Sequence, residues 1–131
     1  MTAGKSAIKW IAFSVILLVA AAYLFFRSAN YHSAIKATKE WACLDDFPAS
    51  AEAISVEAAG NMFTRGFRVS FIAPVTDIDS WLEHSPGTAN VKPTKNGTVR
   101  RYEILPCGGA QHAHLEVHED SQTVLIEVNW S

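Results

Sequence analysis

The stretch HAHLEVHEDSQTVLIEVNW, residues 112–130, places apolar side chains at every second position on both sides of a polar interruption. Ala113, Leu115 and Val117 come before it, and Val124, Ile126 and Val128 come after. A period of two marks a strand with one buried face. The stretch therefore reads as two strands, Gln111 to Glu119 and Gln122 to Trp130, joined at a two-residue Asp120-Ser121 turn. That turn sets a register in which Val117 faces Val124, Leu115 faces Ile126 and Ala113 faces Val128. All of these pairs are apolar, as an antiparallel hairpin on a one-sided core requires.

Upstream, the Asn96-Gly97 turn after Pro93 leads into a strand from Thr98 to Leu105 with Tyr102 and Ile104 facing inward, and Cys107-Gly108-Gly109 supplies the next turn. Before it, Ile78, Trp81 and Leu82 share one side of a helix. Thr76 is its expected N-cap, Asp79 its capping-box partner, and Ser85-Pro86-Gly87 its stop. Earlier still, Ile54, Val56 and Ala58 alternate up to Gly60-Asn61, and Phe67, Val69, Phe71 and Ala73 alternate up to Pro74, a second hairpin. The expected order is β-β-α-β-β-β. The fold class is α+β, an antiparallel sheet with one helix packed on its apolar face.

The N-terminal third is different in kind. Trp10 to Phe26 is an uncharged run of 17 residues in which Ser14 is polar, bounded by Lys9 and Arg27. As a helix it extends roughly 25 Å, close to the hydrocarbon thickness, and Lys9 and Arg27 can snorkel to the headgroups. It reads as a transmembrane helix. The competing reading is a cleaved secretory signal with Ala20-Ala21-Ala22 as the cleavage region, giving a secreted product. Against this, Tyr23 to Phe26 remain apolar beyond that site. Basic residues on the two sides nearly balance; the short N-terminus favours N-in, with the remainder extracytoplasmic at an inner or plasma membrane. From Ser28 to about Cys43, Ala34, Ile35, Ala37, Thr38 and Trp41 fall at helical spacing and Leu44 to Pro48 then breaks the helix, so residues 27–46 read as a stalk or linker helix. The expected division is a short cytoplasmic terminus over 1–9, a span over 10–26, a stalk over 27–46 and a domain over 47–131.

With 131 residues, 49% hydrophobic and 18% charged, the chain holds one small domain beside its anchor. That excludes a multidomain enzyme, a collagen-like repeat and a disordered acidic tail. A net charge of -2 argues against nucleic acid. Residues up to 40 carry five basic and one acidic side chain, and the rest six basic and twelve acidic. The basic part suits anionic headgroups, and the acidic part would be held away from them.

Cys43 and Cys107, 64 positions apart, are expected to form a disulfide if the domain is exported, the alternative being two buried thiols in a cytosolic domain. His112, His114, Glu116 and His118 fall on one face of their strand, with Glu127 opposite His114 and Asn129 opposite His112. Same-face neighbours are about 7 Å apart, a gap two imidazoles can bridge around zinc or copper; the alternative is a solvated polar face. Ser80, Ser85 and Asp45-Asp46 are residue types that catalysis uses, but no catalytic motif accompanies them. Asp77 and Asp79 suit a helix N-terminus. Asn96-Gly97-Thr98 and Asn129-Trp130-Ser131 match the glycosylation triplet, a frequent chance pattern. Ala3-Gly4-Lys5-Ser6 lacks the first glycine and the strand of a phosphate-binding loop.

Phe47-Pro48-Ala49-Ser50-Ala51, then Phe71 to Leu82, with Gly108 to Gln111 and Val128 to Ser131, resemble a pattern in uncharacterised bacterial membrane-anchored proteins and lipoproteins. The resemblance implies an extracytoplasmic domain of unknown function and carries no catalytic residues. The resulting expectation is a non-catalytic envelope protein whose domain binds another protein or supports an envelope complex. The alternative is a zinc- or copper-binding or small-molecule-handling domain.

Overall fold

The computed structural model describes residues 2–60, 65–105, 107 and 110–130. Asn61, the Gly108-Gly109 turn and Ser131 of the second triplet lie outside them. The chain forms two compact units, Met1–Ser33 and Ala34–Ser131.

Helix α1 runs from Thr2 to Trp41. Its most apolar 18-residue window has a mean hydropathy of 2.2 with no part buried. In the first unit Trp10, Phe13, Leu18 and Phe26 are each more than half exposed.

The end of α1 belongs to the second unit. No glycine stops it. Leu44 N–H donates to Lys39 O at 2.8 Å and Cys43 N–H to Glu40 O at 3.4 Å, and Cys43 has φ 52°. This is a Schellman motif with cysteine in the left-handed position usually held by glycine. Two fixtures hold it there: the Cys43–Cys107 disulfide, with Cα atoms 6.0 Å apart, and a 2.7 Å hydrogen bond from Gly87 N–H to Cys43 O. A Cβ on Gly87 would overlap the Ala42 carbonyl oxygen, so glycine there follows from close approach.

Six strands follow: β1 Glu52–Gly60, β2 Arg65–Ile72, β3 Thr94–Asn96, β4 Val99–Ile104, β5 His112–His118 and β6 Thr123–Trp130. Helix α2, Val75–His84, lies between β2 and β3. All neighbours in the sheet are antiparallel, in the order β1-β2-β6-β5-β4-β3. The last hairpin has the expected register, with Val117 paired to Val124, Leu115 to Ile126 and Ala113 to Val128. Its loop is longer than a two-residue turn, because Glu119 to Gln122 all lie outside the strands and Gln122 takes φ 54°.

Three expectations need correction. The sheet has six strands where five were expected: Thr94–Asn96 pairs with β4, and Asn96 pairs with Val99, leaving Gly97-Thr98 at the centre of the turn. Gly97 has φ 62°, as the first central residue of a type II′ turn requires. The capping box does not form, since Pro74 is the N-cap without a side-chain cap bond. Asp79 instead accepts from Arg100, and Asp77 accepts from Ser50. Finally, α2 does not cover the apolar face alone, for Ala34, Thr38 and Ala42 are buried as well and Trp41 stacks on Phe67 with ring centres 5.6 Å apart.

The core lies between this cover and the inner sheet face. Phe71, Ile78, Leu115, Val117, Val124, Ile126 and Val128 are fully buried, each contributing about 1.5–3 kcal/mol by leaving water. Phe47, Phe71 and Trp81 form an aromatic triangle with ring centres 4.8 to 5.9 Å apart. Trp81 Nε1–H donates to Asp45 O at 3.0 Å, tying α2 to the segment after α1.

Candidate functional site

The outer sheet face carries the candidate residues, because the period that buries Ala113, Leu115 and Val117 turns His112, His114, Glu116 and His118 outward. Cross-strand pairing extends each into a row. His114 lies between Glu103 on β4 and Glu127 on β6, and Glu127 in turn pairs with Arg68 on β2, which pairs with Glu57 on β1. One row thus reads acid, base, acid, histidine, acid across five strands.

Distances show which partners engage. Arg68 Nε and Nη2 donate to Glu127 Oε2 at 3.3 Å, and Arg68 Nη1 is 3.6 Å from Glu57 Oε2. Arg101 Nε donates to Glu103 Oε1 at 2.6 Å and Arg101 Nη1 to Glu116 Oε1 at 3.3 Å. His114 Nε2 is 3.8 Å from Glu127 Oε2, and His118 Nε2 is 3.2 Å from Glu116 Oε2. The hydrogen bond from Arg101 holds the Glu103 carboxyl below the ordinary carboxylate range, helped by the charges of Arg101 and His114. The bond from Arg101 to Glu103 likewise raises the Arg101 pKa.

This lattice bears on metal binding. The carboxylates nearest the histidines already accept from arginines. Among the described residues no three His, Cys, Asp or Glu side chains are grouped to hold a metal ion. Such exposed pairs are worth at most about 1 kcal/mol each, so the lattice organises the face more than it stabilises the fold.

A second grouping surrounds an open recess of about 480 Å³, lined by Asp45, Asp46, Ser50, Asp77, Ser80 and His84 among others. Several of its polar groups are tied to one another or to neighbouring backbone. Ser50 Oγ donates to Asp77 at 2.6 Å, Lys39 Nζ to Asp46 at 2.8 Å, and His84 Nδ1 lies 2.7 Å from Ser80 O. The Lys39 hydrogen bond and charge lower the Asp46 pKa. Ser85 is buried and its Oγ accepts from Asp45 N–H at 3.1 Å.

One charged residue turns inward. Arg100 shares its side of β4 with Tyr102 and Ile104. Its Nη2 donates to Asp79 at 2.7 Å, its Nη1 to the Tyr102 hydroxyl at 3.2 Å, and its Nε lies 2.9 Å from Glu119. Burial opposes the arginine's charge, but Asp79, Tyr102 and Glu119 outweigh that and raise its pKa. Burial is also the main cause of the raised Tyr102 pKa, with Arg100 acting against it. The partners of Arg100, Asp79 and Glu119, were not readable in the sequence, but its side of β4 was readable from parity, since Arg100 is two residues from Tyr102. The Arg68–Glu127 pair was not, because it depends on β2 lying beside β6. No protein-family model matches the chain, and no curated protein or solved structure matches it.

Proposed function

We propose that this chain is a single-pass membrane protein whose residues 10–26 cross the bilayer with residues 1–9 inside. Its disulfide-stapled α+β domain lies on the extracytoplasmic side of an inner or plasma membrane, where it binds another protein or supports an envelope complex without catalysing a reaction. The observation carrying this reading is the Cys43–Cys107 disulfide that follows directly on a long helix whose most apolar 18-residue window is fully exposed. Disulfides persist in oxidising compartments, which supports the extracytoplasmic side. An apolar surface of that length suits lipid and not water. The polar groups of the outer face pair with one another, and the recess beside α2 uses its acids and serines as local ties.

An alkaline phosphatase fused after Ser131 tests the orientation. Active enzyme, with the chain in the membrane fraction after carbonate washing, is expected. A stable but inactive fusion overturns the orientation. A mature product lacking the first 22 residues makes the helix a cleaved signal and the domain secreted.

A further inference from the structure

We propose that an open recess between α2 and β4 binds a free α-amino acid with an apolar side chain, its carboxylate on Arg100 and Tyr102 and its ammonium on Asp79 and Glu83. The recess holds about 340 Å³, within the range of small-molecule sites, and shares no lining residue with the one beside Asp45. Helical spacing builds one wall, since Leu82 and Glu83 lie three and four residues after Asp79 on α2. Strand parity builds the other, since Arg100 and Tyr102 are two residues apart on β4. Val91 and Pro93 line it from the segment between the two elements.

Unspent hydrogen-bonding capacity selects the ligand. A guanidinium has five N–H donors, and those of Arg100 make two hydrogen bonds, to Asp79 and to the Tyr102 hydroxyl. Its Nε lies 2.9 Å from Glu119, but the N–H is not aimed at that oxygen, and this buried atom has no hydrogen-bond partner among the described residues. The Tyr102 hydroxyl accepts from Arg100. Its own proton has no acceptor among the described residues, on a side chain only 6% exposed. Burial raises the Tyr102 pKa, which keeps that proton in place as a donor. Buried donors without acceptors call for an acceptor from outside. The opposite need lies on α2. Asp79 accepts through Oδ1 alone, and Glu83 is exposed, with no hydrogen bond or ion pair among the described residues. These oxygens call for a cationic donor. Arg100 and Asp79 are in contact at 2.7 Å, so acceptor and cation must sit side by side on one ligand, as the carboxylate and ammonium of an α-amino acid do across a single carbon. A bare anion would meet Asp79, Glu83 and Glu119 against one arginine, and a simple amine would leave Arg100 and Tyr102 unanswered. Leu82, Val91 and Pro93 supply apolar surface for the side chain.

The inference goes beyond the anchoring reading and is tested separately, so a failure here leaves the fusion result standing. The full chain in mild detergent is titrated calorimetrically with L-valine, L-leucine and L-phenylalanine, then with the N-acetyl and amide derivatives of the tightest binder. Acetylation removes the ammonium and amidation removes the carboxylate, each a charge-assisted hydrogen-bonding group. Saturable binding of a free amino acid, weakened about tenfold or more by either derivative, is expected. No saturable binding of any of the three, or equal binding of the free and derivatised forms, overturns the proposal. Two substitutions place the ligand. Glu83→Gln alters an exposed residue without partners, and Tyr102→Phe keeps the buried ring while removing its hydroxyl. Each should weaken the free amino acid about tenfold. An unchanged dissociation constant in both variants puts the ligand elsewhere and overturns the site.

Discussion

Replacing Cys107 with serine removes the staple while leaving Cys43 at its left-handed backbone position. The closed loop spans 64 positions, for which the chain-entropy relation gives about 4 kcal/mol. A domain of about 100 residues shifts its melting temperature by about 4–8 °C per kcal/mol, so the loss should be near 20 °C. A second substitution then isolates the backbone. At φ 52° a residue with a Cβ costs about 1–2 kcal/mol. Glycine avoids that cost but loses about 0.4–1 kcal/mol through its freer unfolded chain. In the Cys107→Ser background, Cys43→Gly should therefore be more stable than Cys43→Ser by roughly 0.5–1 kcal/mol. Urea unfolding of the full chain in mild detergent, followed by tryptophan fluorescence, measures both steps. A loss below about 1 kcal/mol for Cys107→Ser would show that the bond does not constrain the unfolded chain. A serine variant as stable as the glycine variant would refute the assignment of Cys43 as a strained helix stop.

Gly87→Ala should destabilise the domain by about 1–3 kcal/mol, because the new Cβ meets the Ala42 carbonyl; the urea midpoint should fall, with the slope unchanged. Acid should weaken the fold through Asp46 and Glu103, whose carboxyl pKa values are lowered in the folded state. Their stabilisation is complete above the ordinary carboxylate pKa of about 4 and is lost as pH falls through the lowered folded values. Asp46→Asn and Glu103→Gln should therefore flatten the acid limb of a stability-against-pH curve and leave its slope above pH 6 unchanged. Zinc or copper added to the full chain should raise its melting temperature no more than that of His114→Ala, because Arg68 and Arg101 already occupy the neighbouring carboxylates; a clear excess in the unsubstituted chain would restore the metal reading of His112, His114, Glu116 and His118.

The last hairpin was legible because burial on one face imposes a period of two on its residues, and the facing apolar pairs then leave a single register. Ile78, Trp81 and Leu82 were legible for the same reason at helical spacing. β3 was not, because Thr94, Lys95 and Asn96 are all exposed and exposure imposes no pattern. The stop of α1 near Cys43 was legible from the break at Leu44 to Pro48, but its means was not, because the usual signal is glycine and here a disulfide and the Gly87 hydrogen bond hold Cys43 in its place. The end of α1 passed for a stalk because Ala34, Thr38 and Ala42 are small and form no hydrophobic stripe, yet they are buried. On the outer face, the histidine row was visible from β5 and β6 alone. Its partner Arg68 depended on the pairing of β2 with β6, a long-range choice that no local pattern records.

That pairing sets the order of assembly. β6 is the last of these strands in chain order and sits between β2 and β5, so a chain emerging N-terminus first delivers the middle of its sheet after both flanks. Until then the β1–β2 hairpin and the β3–β5 meander have no common neighbour, and the slow closure expected of non-local strand pairing waits on residues 123–130. Cys43 and Cys107 have both emerged by that time, so oxidation can cross-link a half-built domain and confine the two flanks near the gap that β6 must enter.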